Sequence, residues 1–415
     1  MREGWEIKYL DEIATVKGGK RVQKGYKFET TPTLHPYITV ADFTEDGTVC
    51  TKNLKYISNE VYEQIKNYTI SSQDIYISIA GTIGKTGSVP KSLDGANLTE
   101  NACKLVLHKG IDKSFIYYFT KTNNFIQQTG INTRVAAQPK LALVRLKTIK
   151  LPIPPLPEQK RIVAILDEAF EGIDRAIANT EKNLANSSEL FESYLNAIFT
   201  QKGDGWVEKK LEDICKEITV GHVGSMASKY KDSGIPFLRS QNILPFRINL
   251  DNVVFIDKEF HSALKKSQLK PGDLAIVRTG YPGTAAVIPE GLEIVNCSDL
   301  VIVKPDENIN PHYLCLFFNS LFGKTLVGSR LVGAAQKHFN ITTAKKVLIP
   351  FPCITEQNSL VTKIDELAAE TQRLESIYRQ KITALNELKQ SILQKAFTGE
   401  LTADTSKTVK EEIAA

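Results

Sequence analysis

The stretch Ala80–Gly87, AGTIGKTG, contains Gly-Lys-Thr at 84–86, the residues with which a phosphate-cradling loop closes. Such a loop also needs a glycine five residues before Gly84, and that position is Ile79. A related stretch, RTGYPGTA from Arg278, has no lysine. What the two share is Gly-x-x-Gly, Gly81 and Gly84 against Gly280 and Gly283. That reads as a hairpin turn, from which Lys85 and Arg278 present charge. The six histidines form no H-x-x-x-H or H-E-x-x-H pattern, and the chain has no G-x-S-x-G elbow. The six cysteines are scattered, with no C-x-x-C pair, which argues against a zinc site and a disulfide framework. Asp167–Glu168 and Asp365–Glu366 recur as pairs, but on long helices, where a solvated or interaction face is expected. No catalytic, metal or cofactor site is expected on this chain.

The polar loops carry a different chemistry. Lys17, Lys20, Arg21, Lys24 and Lys27 are cations spaced by glycine, which suits phosphate contacts. Arg239, Gln241 and Asn242 follow a predicted strand, and these residue types bond bidentately to guanine or adenine edges. Lys85, Arg134 and Lys140 in the first half, and Arg278, Tyr281, Lys324, Arg330 and Lys337 in the second, complete the candidate DNA-binding set. Each taken singly reads better as an ordinary solvated residue. The set points to DNA because it falls where the two halves differ: Thr39 stands opposite Arg239, and Ala41 opposite Gln241.

The elements that position these residues occur twice. PIPPLPEQKRIVAILDEAF and PFPCITEQNSLVTKIDELA place Glu158–Gln159 and Glu356–Gln357 at a constant offset of 198 residues. Phe199–Thr200 and Phe397–Thr398 keep the same offset. Upstream, WEIKYLDEI returns as WVEKKLEDI, and the strand-like HPYITVADF (His35–Phe43) as IPFLRSQNI. The residues from Asp74 to Pro90 read as strand, glycine turn and strand, and Phe115–Phe119 as helix. Without regular βαβ alternation, the expected class is α+β: two similar mixed modules separated by two long helices. The expected boundaries are a first recognition module at 1–157, a spacer helix at 158–200, a second module at 201–355, a distal helix at 356–401 and a polar tail at 402–415. Hydrophobic content of 42% and charged content of 24% are ordinary for a globular chain. No apolar run is long enough to span a bilayer and the start lacks a signal-peptide core, so a cytoplasmic protein is expected. The net charge of +5 permits nucleic-acid binding without requiring it.

Apolar residues in the first long helix step by four and three through Leu166, Phe170, Ile173, Ile177, Thr180, Leu184, Ser187, Phe191, Tyr194 and Ile198. In the second they pass through Leu360, Ile364, Leu367, Thr371, Leu374, Tyr378, Leu385, Leu388 and Ile392, with a polar break at Lys381. This is a heptad seam. Helices of about 40 residues with one narrow seam need a partner, and the other copy is the natural one. An antiparallel intramolecular coiled coil with pseudo-two-fold symmetry is expected. The plainer reading is that each helix packs down on its own globular module.

Two variable modules, each followed by a long helix opened by P-x-P-x-x-x-E-Q, resemble the DNA specificity subunit of type I restriction–modification systems. The resemblance covers Trp5 to about Leu401. It is carried by PLPEQKRIVAILDEA, GIPFLRSQNI and the closing LKQSILQKAFTGEL, while the second copy departs from the pattern with CITEQN. It implies a non-catalytic chain whose modules each read one half of a bipartite, asymmetric site on double-stranded DNA. The helices would set the spacer and dock two methyltransferase subunits, to which two restriction and translocation subunits add. S-adenosylmethionine, ATP and magnesium would be bound by those partners. In keeping with that, the chain has no N-P-P-[YF] or D-P-P-Y tetrapeptide and no complete Walker motif. A coiled-coil interaction scaffold without DNA readout is the alternative.

Overall fold

The computed structural model describes residues 4–130, 141–226, 228–331 and 338–403. Arg134, Lys140 and Lys337 lie outside the described residues. The chain divides into two compact units, Met1–Asn179 with Lys381–Ala415, and Thr180–Gln380.

In the first unit the elements run β1 (Glu6–Tyr9), α1 (Leu10–Ile13), β2 (Ala14–Gly18), β3 (Pro36–Ile38), β4 (Lys55–Tyr56), α2 (Asn59–Ile65), β5 (Thr69–Ile70), β6 (Ile75–Ser78), β7 (Thr86–Gly87), β8 (Ala96–Leu98), β9 (Ala102–Leu107), α3 (Lys113–Thr120), α4 (Asn123–Thr129), α5 (Leu143–Lys147) and β10 (Lys150–Ile153). One sheet has the order β2-β9-β6-β7, a second β4-β3-β8-β5, and β1 pairs with β10. Among the described residues of this unit only β3 and β8 run parallel, with Tyr37 opposite Asn97. The strand β6 is buried along its whole length. Its side chains alternate: Ile75 and Ile77 join the core built on Phe115 and Phe119 of α3, while Tyr76 turns into a core with Ile38 and Leu98. A strand covered on both faces is apolar throughout, with no polar alternation.

From Leu156 to Gln201 runs one helix, α6. The second unit then repeats the frame: β11 (Val207–Lys210), β12 (Cys215–Val220), β13 (Ile235–Leu238), the hairpin β14 (Ile243–Leu244) and β15 (Arg247–Ile248), β16 (Val254–Ile256), α7 (Lys258–Ala263), β17 (Gln268–Leu269), β18 (Leu274–Val277), β19 (Ala285–Val287), β20 (Val295–Cys297), β21 (Leu300–Pro305), α8 (Pro311–Asn319), α9 (Leu321–Gly328), α10 (Ile341–Lys345) and β22 (Leu348–Phe351), then α11 (Ile354–Thr398). Its sheets are β12-β21-β18-β19 and β16-β13-β20-β17, with β11 paired to β22.

Two local expectations change. The predicted strand His35–Phe43 extends only over Pro36–Ile38. The next residues form a single 3-10 turn, because the Asp42 carboxylate accepts bonds from both the Thr39 N–H and the Thr39 hydroxyl at 2.7 Å. In the second unit the Asn242 Oδ1 accepts from the Arg239 N–H at 3.0 Å in the same way. Such side-chain bonds compete with the sheet ladder and end the strand. Lys17, expected in a loop, lies on β2.

The Glu-Gln motif proves to be a latch. Gln159 is buried: its Oε1 accepts the Asp112 N–H at 2.8 Å, and its Nε2 donates to the carbonyls of Pro154 at 2.9 Å and Gly110 at 3.3 Å. Gln357 repeats this with the Asn310 N–H at 2.9 Å and the carbonyls of Pro352 at 2.9 Å and Asn308 at 3.2 Å. Each carboxamide thus ties the first turn of a long helix to the loop that precedes α3 or α8. A buried amide with every donor used is stable; one with donors unused is costly.

Within each unit the two long helices pack against each other and also on the globular core, so neither helix is confined to its own module. In the first, Ile162 and Leu166 of α6 and Leu393 and Ala396 of α11 share one core with α3. Asp174 accepts from Lys389 at 2.6 Å and Glu158 from Thr402, so the α6 number falls as the α11 side advances: the two segments run antiparallel. In the second, Leu195 and Phe199 of α6 share a core with Val361 and Ile364 of α11, and Ser188 donates to Glu375 at 2.7 Å. Phe397 packs on Phe115 and Phe119 with ring centroids at 4.9 and 5.5 Å; Phe199 packs on Tyr313 and Phe317 at 5.5 and 5.4 Å. Each unit therefore receives the beginning of one long helix and the end of the other.

The seam is adjusted accordingly. Leu166, Ile173, Thr180 and Ile364 are buried, and Phe170, Ile177, Leu184, Phe191, Leu367, Leu374, Tyr378, Leu385 and Ile392 are half-buried. Tyr194 is exposed, and Leu195 takes its place in the core. Lys381 and Leu388 are exposed as well, and Ile382 and Lys389 lie on the covered face. This one-residue change replaces Lys381 by Ile382 on the covered face and moves the polar position to Lys389, which pairs with Asp174. The covered stripe is wider than a two-stranded seam because globular side chains pack beside the partner helix.

Candidate nucleic-acid interface

Four strands of the second unit end together. Ser298, after β20, donates its N–H to the Leu238 carbonyl at the end of β13 at 3.0 Å. His222, after β12, donates to the Cys297 carbonyl at 2.8 Å, and Val277 at the end of β18 pairs with Leu300. These bonds bring Arg239, Arg278, His222 and Asp299 together where strand ends of the two sheets meet. Arg278 Nη1 lies 3.3 Å from Asp299 Oδ1. The Arg239 guanidinium stands 5.8 Å from the Tyr230 ring centre, within cation–π reach, and its Nη2 donates to the Asn252 carbonyl at 3.0 Å. The Nε atoms of both arginines are buried and make no hydrogen bond among the described residues. Buried donors without partners are rare and call for an explanation. Tyr281 is 84% exposed at the tip of the Gly280–Gly283 turn, where both glycines have φ near +90°.

The first unit builds the same edge from different side chains. Thr99, after β8, donates to the Ile38 carbonyl at 3.0 Å, and Lys20 to the Leu98 carbonyl at 2.8 Å. A side chain at Gly19 would come within 2.1 Å of the Thr99 carbonyl oxygen, so the chain crosses there only as glycine. Arg21 Nε lies 2.5 Å from Glu100 Oε1. Burial pushes the Glu100 carboxyl up, but hydrogen bonds led by Arg21 outweigh it and hold the group below the usual range. Tyr37 braces the loop through its hydroxyl, which donates to the Lys20 carbonyl at 2.8 Å.

The candidate DNA residues sort by this geometry. Lys20 and Arg21 in one unit, and Arg239 and Arg278 in the other, lie at the strand ends, with Tyr281 at the tip of the turn that follows Arg278. Lys17, Lys24, Lys27 and Gln241 are exposed. Asn242 is buried at 1% exposure, with its Nδ2 on the Asn249 carbonyl at 3.0 Å; it is a turn-forming residue, the counterpart of Asp42, with no edge free for a base. Lys85 is held by Glu45 at 2.7 Å and the Phe43 carbonyl at 3.1 Å. Arg330 donates to the Lys346 carbonyl at 2.6 Å, beyond α10. Lys324 sits on α9, whose first turn is tied to α6 by the Phe322 N–H on Asn196 at 2.8 Å. Sequence reasoning passed over Glu100 and Asp299. Their signal was the match of ANLTE, from Ala96, with VNCSD, from Val295.

Among the described residues no group of three or more His, Cys, Asp or Glu side chains could hold a metal ion, and no helix is long and apolar enough to cross a membrane. The arrangement offers cations, amide donors and carboxylate acceptors at clustered strand ends, the inventory with which proteins read base edges and phosphates.

Comparison with known proteins points the same way. The family described as type I restriction modification DNA specificity domain matches residues 2–185 and again 203–384. The type I restriction enzyme EcoKI specificity subunit of Escherichia coli (strain K12) is 25% identical, over 97% of this chain and 90% of its own length. The EcoBI specificity subunit of Escherichia coli is 23% identical, over 97% and 87%. A solved chain, from work on the structural basis of complex assembly and conformational transition of the type I R-M system, superposes with a TM-score of 0.76 at 18% identity. It covers 97% of this chain and 99% of its own.

Proposed function

This chain belongs to the type I restriction–modification DNA specificity family, and from that premise we propose that it is the non-catalytic, sequence-reading subunit of a DNA-methylating and DNA-cleaving assembly. Each unit reads one half of a bipartite, asymmetric site on double-stranded DNA. The observation that carries this reading is the duplicated strand-end edge: the same backbone frame presents Lys20, Arg21 and Thr39 in one unit and His222, Arg239 and Arg278 in the other. Like frames with unlike side chains are what two readers of different half-sites require. The long helices set the spacing of the half-sites and dock two methyltransferase subunits, to which two restriction and translocation subunits add. S-adenosylmethionine, ATP and magnesium reside on those partners, and the assembly works in the cytoplasm.

The test is to express the chain with its methyltransferase partner and map methylated adenines across a genome. A bipartite consensus with a fixed non-specific spacer is expected. An interaction scaffold without DNA readout leaves methylation independent of sequence context, and methylation by the chain alone shows it to be an enzyme instead.

A further inference from the structure

We propose that Glu100 and Asp299 are base-reading residues, each accepting a hydrogen bond from the exocyclic amino group of a cytosine or adenine in its half-site. The inference rests on the DNA-reading function above and names side chains for it that a search for cations overlooks.

Three observations converge. The two carboxylates occupy equivalent places: Thr99 and Ser298, the residues before them, donate to the ends of β3 and β13 at the same 3.0 Å. Each is paired with an arginine, but the arginines come from unlike strand ends, Arg21 after β2 and Arg278 after β18. The carboxylate is thus the constant part of the edge and the arginine the variable part. Thirdly, Asp299 has φ +53°, in the left-handed region that a residue with a side chain seldom adopts. Its carboxylate remains 44% exposed, with Arg278 held at a long 3.3 Å and Arg278 Nε unpartnered.

An anion on a surface that approaches phosphates is repelled. It is tolerated there when it accepts from a donor that only bases supply, and in the major groove these are the amino groups of cytosine and adenine. The arginine beside it donates to an adjacent acceptor, as guanine presents through O6 and N7. The Arg–carboxylate pair therefore holds its own side chains in position in the free protein and exchanges them for base edges on DNA.

The experiment uses the whole chain in complex with its methyltransferase partner, with Asp299→Asn and Glu100→Gln. Both variants keep the shape of the side chain, and asparagine is well tolerated in the left-handed region. Methylated adenines are mapped for each variant and for the unaltered chain. Asp299→Asn is expected to relax one position of one half-site by roughly 5–100-fold, leaving the other half-site intact, and Glu100→Gln to do the converse. An unchanged consensus for both variants, or a uniform loss at all sites with the consensus preserved, overturns the inference and leaves the carboxylates as positioning residues. Failure of the unaltered chain to direct sequence-selective methylation overturns the DNA-reading function itself, and the inference with it.

Discussion

Neighbouring polar residues of this chain have opposite fates, and Gln241 and Asn242 are the sharpest pair. Gln241 is exposed on the 3-10 turn after β13, and Asn242 is buried inside it. Gln241→Ala is expected to leave thermal stability unchanged while relaxing the half-site of the second unit alone, by about 1–3 kcal/mol of discrimination. Asn242→Ala removes the acceptor of the Arg239 N–H and the donor to Asn249, at a cost of about 2 kcal/mol. It should lower the melting temperature and weaken binding without changing the consensus. Even loss over all DNA on Gln241→Ala would make that residue a phosphate contact.

Among the elements, the long helices depend on how they begin. Gln159 and Gln357 each use one acceptor and two donors to close the first turn against a loop. Replacing Gln357 by leucine leaves the Asn310 N–H and two carbonyls without it, which is expected to destabilise by about 2–3 kcal/mol. Denaturant unfolding of Gln357→Leu measures this, and an unchanged midpoint would show that water replaces the latch. The repeated motif is therefore explained by folding: its glutamine is buried in both copies and bonded to backbone groups.

For the whole molecule the informative change is in length. Both units contain part of α6 and part of α11. Inserting residues beside Asn186 or Ser188 is expected to change the non-specific spacer in the methylation consensus while both half-sites persist. Altered half-site sequences would refute the ruler. DNA affinity of the complex should also fall steeply with salt, as phosphate contacts release counterions.

The repeat, the two long helices and the α+β class were legible from residue types and spacing. They rest on local propensity, apolar periodicity and a constant offset, which are properties of the chain read in one dimension. The predicted reading arginines were legible as residue types only. Which of them meet was decided by the parallel register of β3 with β8 and of β13 with β20, pairings between segments about 60 residues apart. Tertiary packing likewise buried Asn242, put Asp299 beside Arg278 and placed Leu195 rather than Tyr194 in the core. A side chain's exposure is set by what the rest of the chain packs against it, and no local pattern of sequence contains that.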